Sequence, residues 1–313
     1  MTPTLYRLTR YLPYQLRAPF QHKLAASMFR DYLIERIGYF YVHVDDGPMP
    51  PDHLIMRTSV LSEGHIKTVL NRNTYFSSGY LQILRWLKAL EKCGFNIRTT
   101  ATIMELGCGS GRLLRHLRCV DGIRLIGTDV QPALIEWCTQ NLPGIDFYVN
   151  QFAPPIYQIK NESIDLIYAS SVFTHIPLAT QVDWLAEMKR IMKPGGFLLI
   201  SLLGRKYMET MLTPEQQETV RNTGHFELSA TDENISVSSR LNDQWDVFQS
   251  RSEVIDTFRK YFKIRDYLPS HQDLIILQKP VTTVSKRPPQ WINAPPRHIP
   301  SSHTGVATCL VRA

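Results

Sequence analysis

Between residues 101 and 130 an apolar segment runs into three closely spaced glycines, and a second apolar segment then ends in an acid. The first part reads Ala101-Thr-Ile-Met-Glu-Leu-Gly-Cys-Gly-Ser-Gly-Arg112, and the second closes with Gly127-Thr-Asp-Val130. The pattern predicts a strand over about 101–107, a tight turn through Gly107, Gly109 and Gly111, a helix from about 111 to 119 and a second strand over about 124–129. That is the start of a βαβ unit, which holds its ligand at the C-terminal ends of parallel strands. Glycine suits the turn because the backbone must bend sharply and approach the ligand closely.

The loop also restricts the ligand. A dinucleotide fingerprint needs glycine at position 112, where this chain has Arg112, and the phosphate-loop pattern is absent. Glu105, two residues before Gly107, would repel a pyrophosphate but suits a ligand bearing ammonium and sulfonium charges. Asp129 ends the second strand, where an acid accepts hydrogen bonds from ribose hydroxyls. On these residues Glu105-Leu-Gly-Cys-Gly-Ser-Gly111 resembles motif I of the class I S-adenosylmethionine-dependent methyltransferases.

The resemblance covers about residues 70–280. It implies an α/β, Rossmann-like fold with a seven-stranded, mostly parallel sheet, a C-terminal antiparallel hairpin and an N-terminal helical extension. It implies S-adenosylmethionine as cofactor and no metal. Gly107, Cys108, Gly109 and Gly111 are then expected along the amino-acid end of the cofactor, Asp129 at the ribose and Val130 on the adenine. Asn150 and Gln151, ending the third strand, are placed for the adenine amino group, and Ser170 ends the fourth beside the methyl group. Glu105 either accepts from the ligand's ammonium through water or ties down the loop.

Alternation of strands and helices continues beyond the loop, as a parallel sheet requires. A helix is expected over about 132–141, and strands over 145–150 and 163–170. Thr180 and Asp183 form a capping-box pattern opening a further helix, and a strand follows over 197–201. A helix over about 252–261 leads to a final hairpin. Residues 1–65 are read as a basic helical extension, 66–280 as the catalytic domain and 281–313 as a proline-rich basic tail. Within the domain, 204–251 is an insertion on the substrate side, where Tyr207, His225, Trp245 and Phe248 are available to shape a pocket. Tyr75, Phe76 and Tyr80, ahead of the glycine loop, are lid or packing candidates.

The net charge of +7 belongs to the chain ends. Residues 1–40 hold six Lys or Arg against two acids, and 281–313 hold four with no acid. In the N-terminal segment Phe20, Leu24, Met28, Phe29, Leu33 and Ile37 repeat at helical spacing. Such a helix can dock on the domain, pair with a partner or lie on a membrane surface. No apolar run reaches the ~18 residues of a membrane span, and the five cysteines show no metal-ligand spacing. The expected location is the cytoplasm, with the inner membrane surface as an alternative.

Two histidines are candidate bases. His175 follows the fourth strand, and His271 lies in the turn of the last hairpin. Either can take a proton from a hydroxyl or amine during methyl transfer, and His175 has the alternative role of ordering its loop. A nucleic-acid acceptor is disfavoured, because the fourth strand ends in Ala169-Ser-Ser-Val172 and lacks the Pro-Pro-aromatic motif of amino-methylating DNA enzymes. The expected reaction is methyl transfer to oxygen or nitrogen of a small molecule, glycan or glycolipid. The alternative is a non-catalytic S-adenosylmethionine-binding scaffold.

Overall fold

A computed structural model describes residues 23–32, 35, 47–56, 72–229 and 245–281. The proposed tail beyond 281, and Phe20, Leu33 and Ile37 of the N-terminal stripe, lie outside these residues. Three helices come first: α1 over 23–32, α2 (Asp52–Met56) and α3 (Arg72–Lys92). The domain continues through β1 (Thr102–Leu106), β2 (Arg124–Asp129), α4 (Pro132–Asn141), β3 (Ile145–Val149), β4 (Ile164–Ala169), α5 (Leu178–Ile191) and β5 (Met192–Leu202). The insertion supplies α6 (Arg205–Met211), α7 (Pro214–Thr223), β6 (His225–Ser229) and β7 (Trp245–Gln249). It is followed by α8 (Arg251–Phe258), β8 (Lys263–Leu268) and β9 (Asp273–Gln278).

Seven strands form one sheet in the order β3-β2-β1-β4-β5-β9-β8, while β6 and β7 pair separately. Strands β1 to β5 are parallel, and β9 runs antiparallel to both of its neighbours. Successive side chains of each central strand point to opposite faces, so two cores form. Ile103, Leu125, Leu166 and Leu199 face α3 with its Leu84, Leu87 and Leu90. Met104, Ile126, Ile167 and Leu198 face α5 with its Trp184, Leu185 and Met188. Burial on both faces explains why these strands read as continuous apolar runs. Strand order reverses between β1 and β4, which opens a crevice at their C-terminal ends.

The N-terminal helix α1 is docked on α3. Its buried face is Ala25, Ala26, Phe29 and Tyr32, whereas Met28 is 42% exposed. Phe29 packs on Tyr80 with ring centroids 5.5 Å apart, and Tyr32 donates to Glu91 Oε1 at 2.8 Å. Among the described residues no helix is long and apolar enough to cross a membrane.

Two local expectations change. The helix expected over 111–119 is a 3₁₀ segment, Leu114–Cys119, preceded by turns. In an α-helix the Leu114 N–H would bond the Ser110 carbonyl. Here that N–H donates to Glu105 Oε2 at 3.1 Å, and the Ser110 carbonyl accepts from Tyr75 at 3.1 Å. Helix α5 opens at Leu178 and not at a Thr180–Asp183 capping box, and its N-cap, Pro177, makes no side-chain cap bond. The Leu178 N–H donates instead to Glu227 Oε1 at 2.7 Å, a cap contributed by β6.

Replacing Glu227 with alanine should therefore cost about 1 kcal/mol, in the range of lost helix caps, and lower the urea midpoint. An unchanged midpoint would show that water caps α5 equally well.

Candidate active site

The crevice between β1 and β4 is lined first by the glycine loop. Gly107, Gly109 and Gly111 all take positive φ, at 69°, 54° and 72°. A Cβ on Gly107 would strike the Val172 side chain, so the position excludes alanine on space as well as conformation. Asp129 fastens the loop: its Oδ2 accepts from the Gly109 N–H at 2.8 Å and its Oδ1 from the Gln131 N–H at 2.9 Å. Burial raises the Asp129 pKa, and these backbone N–H groups oppose the rise. A carboxylate has about four lone-pair sites, so acceptor capacity remains beyond the backbone bonds.

Beneath the loop, Glu105 is buried, and its Oε2 accepts from the Leu114 N–H and, at 3.3 Å, from the Tyr168 hydroxyl. Burial pushes its pKa up to about 8, against the opposing pull of the Arg112 charge and these two donors. The Cys108 N–H is spent on the Thr128 carbonyl at 2.9 Å, and its thiol is buried. The hydrogen bond with the neighbouring Cys138 thiol and, after it, burial raise the Cys108 pKa.

Helix α3 covers the loop. The Tyr75 hydroxyl reaches Ser110, and Arg112 donates to Ser78 Oγ at 3.3 Å and to Gln82 Oε1 at 2.9 Å. Gln82 in turn donates to Ser170 Oγ at 3.0 Å, which links α3 to the end of β4. Gly79 permits this approach, because a Cβ there would collide with His116 and the Arg112 carbonyl.

On the β2–β3 side, Asn150 is 7% exposed and its Nδ2 donates to the Gln151 carbonyl at 2.7 Å. Its Oδ1 is buried with no hydrogen-bond partner among the described residues. Such an acceptor calls for a donor from a ligand or water. Gln151 is exposed, and so are two apolar side chains, Val130 at 44% and Phe152 at 48%. Phe152 escaped the sequence reading, although an aromatic directly after a strand-ending amide is a legible signal. Cradle, acid, orphaned acceptor and exposed apolar walls together fit an adenosyl ligand.

The other side of the crevice holds the histidines. His175 Nδ1 lies 2.9 Å from the Trp245 carbonyl oxygen and 3.3 Å from Asp246 Oδ1. His271 Nε2 is 2.7 Å from the Tyr207 hydroxyl. Ser171, in the left-handed region at φ 55°, is held by the Ser201 hydroxyl oxygen on its N–H and by Gln272 Oε1 on its own hydroxyl. Asp246, Trp245 and Gln272 were not singled out as polar partners, because only the fold brings them here.

Strand order, the reversal at β1/β4 and the glycine–acid loop define a class I methyltransferase fold. Residues 104–200 match the family described as a methyltransferase domain, so the chain carries a class I S-adenosylmethionine-dependent methyltransferase domain. The family implies S-adenosylmethionine as cofactor. An uncharacterised methyltransferase of Schizosaccharomyces pombe is 28% identical over 120 residues, 38% of this chain and 44% of that protein. Phthiotriol/phenolphthiotriol dimycocerosates methyltransferase 1 of Mycobacterium ulcerans is 33% identical over 103 residues, 31% of this chain and 35% of that protein. The chain spans about half or less of the length of these relatives. Among solved structures, an S-adenosylmethionine-dependent methyltransferase from Listeria monocytogenes, described as putative, is 14% identical with a TM-score of 0.47. It covers 61% of this chain and 96% of its own.

The buried Glu105 yields a pH prediction. A glutamate near 4.5 in the unfolded chain rises to about 8 in the fold, so the folded state holds the extra proton between those values. This contribution is fully present below about pH 4.5 and is lost as the pH rises to about 8. Glu105→Gln should flatten the fall in thermal stability across that window, read as Tm against pH. A variant with the wild-type slope would assign the dependence to other groups.

Proposed function

We propose that this chain transfers the methyl group of S-adenosylmethionine to an oxygen or nitrogen of a small-molecule or glycan acceptor. The observation that carries the reading is the glycine turn fastened to Asp129 at the point where strand order reverses. In this reading the free lone pairs of Asp129 receive the ribose hydroxyls and Asn150 Oδ1 accepts from the adenine amino group. Val130 and Phe152 flank the base, and the backbone of Gly107–Gly111 passes along the amino-acid end. When bound, the cofactor supplies an electrophilic methyl on a sulfonium. The protein's own task is to hold the acceptor in line, and such positioning supplies about 7–11 kcal/mol of a barrier in favourable cases. Helix α3, tied down through Tyr75 and the Arg112–Gln82–Ser170 chain, excludes water from the cofactor side.

The acceptor class is supported by the other wall. Tyr207, His271, Ser171 and His175 present hydroxyl and imidazole groups, suited to a hydroxylated or amino-bearing ligand. The basic charge sits at the chain ends and not in the domain, which argues against a polyphosphate backbone as acceptor.

Calorimetric titration with S-adenosylmethionine and S-adenosylhomocysteine tests the cofactor half. Saturable binding is expected in the wild type. It should weaken more than tenfold in Asp129→Ala and roughly tenfold in Asn150→Leu, in line with the loss of one hydrogen bond to a buried acceptor. A folded wild type that binds neither would defeat the reading.

A further inference from the structure

The insertion does more to His175 than enclose it. The β7 strand is fixed to the loop after β4 by the Val247 N–H, which donates to the Thr174 carbonyl at 2.9 Å. The His175 N–H donates to the Val172 carbonyl at 2.9 Å, so the backbone of this residue is held from both sides. Its ring then meets two acceptors at Nδ1, the Trp245 carbonyl and Asp246 Oδ1. With only acceptors there, the neutral ring carries its proton on Nδ1 and presents a lone pair at Nε2. This is the protonation state that a base requires, and it is imposed by residues about seventy positions away. The ring's side chain is 27% exposed, so it is open to a ligand, while the Asp246 side chain is 5% exposed.

Asp246 has a second distinctive property. Its Oδ2 is buried with no hydrogen-bond partner among the described residues. A buried carboxylate with an oxygen unspent is costly unless a positive charge or a donor compensates it. An imidazolium forming on the adjoining ring is such a charge. Burial and, after it, the Asp246 charge raise the Tyr207 pKa.

We propose that Asp246 is a positioning residue that makes His175 the general base of a hydroxyl acceptor, so that the insertion commits the site to O-methylation. The proposal rests on the methyl-transfer reading above. In the step, the acceptor O–H bond breaks and its proton passes to His175 Nε2. The oxygen electron pair forms the new O–CH₃ bond as the S–CH₃ bond breaks, and the sulfonium becomes a neutral thioether. The imidazolium so formed donates Nδ1–H to the Trp245 carbonyl, with Asp246 Oδ1 3.3 Å away as its counter-charge, and later returns its proton to solvent. A neutral amine attacks through a lone pair it already has and needs no such arrangement during bond formation, whereas a hydroxyl must lose its proton as the bond forms.

The test uses the full chain with S-adenosylhomocysteine bound and ¹⁵N-labelled histidine. A long-range ¹H–¹⁵N spectrum of the wild type should show His175, identified by its loss in His175→Gln, with the proton on Nδ1. In Asp246→Asn the Trp245 carbonyl should keep the proton on Nδ1, so the same signal reports that the loop is intact in the variant. In parallel, S-adenosylmethionine with a tritiated methyl group is incubated with a cell extract fractionated into glycans, lipids and amines. Label should enter a product from which hydriodic acid releases it as methyl iodide, as it does from a methyl ether. Incorporation should fall tenfold or more in Asp246→Asn, with S-adenosylhomocysteine affinity within twofold of wild type.

An Nε2–H tautomer in the wild type, label held on nitrogen, no labelled product despite bound S-adenosylhomocysteine, or wild-type incorporation by Asp246→Asn would each overturn the proposal. Failure of the wild type to bind S-adenosylhomocysteine would instead strike at the methyl-transfer reading itself. The tautomer measurement on the wild type needs no variant to fold.

Discussion

Two buried acidic side chains hold the centre of this protein in place. Glu105 at the end of β1 and Asp129 at the end of β2 both spend oxygens on backbone N–H groups of the segment between them. Glycine-rich turns have no side chains with which to fix themselves, and three residues at positive φ carry a large conformational entropy when free. The two acids supply the missing constraint. Their own burial would be prohibitive without donors, and the unsatisfied N–H groups of the turn are those donors. Neither partner is stable alone in this setting, which accounts for the co-occurrence of acid and glycine in so short a stretch of chain.

This mutual dependence explains what the sequence disclosed. The βαβ start, the parallel sheet and its final hairpin follow from patterns local to each element: apolar runs where both faces are buried, glycine where the backbone must reverse, an acid at a strand end. The proposed cofactor side was read from residues at the ends of consecutive strands: Glu105, the three glycines, Asp129 and Asn150. Strand order then brings them together without further information. The contacts of Glu105 with Leu114 and Tyr168, which tie down the loop, join residues that are not neighbours in the sequence.

What stayed hidden was long-range. Diversion of the Leu114 N–H to Glu105 and of the Ser110 carbonyl to Tyr75 turns an expected α-helix into a 3₁₀ segment. A helical pattern in the sequence counts side chains, and it does not record where backbone groups find other partners. The cap of α5 came from Glu227, forty-nine residues away, while a local capping-box pattern lay two residues inside the true start. In α1 the stripe of large apolar residues pointed to a face including Met28. The buried face instead includes Ala25 and Ala26, because close docking on α3 favours small residues.

The insertion gathers these hidden contacts into one mechanical unit. Its Leu212, Val220 and Phe248 share a small core with Leu203, directly after β5, so it folds against the domain and does not simply hang from it. From that base β6 caps α5 through Glu227, and β7 fixes Thr174 and His175 through Val247, Trp245 and Asp246. A displacement of the hairpin would therefore uncap α5 and release the His175 ring together. The proposed cofactor and acceptor walls thus differ in kind: one is a contiguous loop fixed by buried acids at adjacent strand ends, the other a set of distant residues assembled by a hairpin. A chain can change the second without disturbing the first, since the bonds that hold Gly109 and Leu114 involve no residue of the insertion.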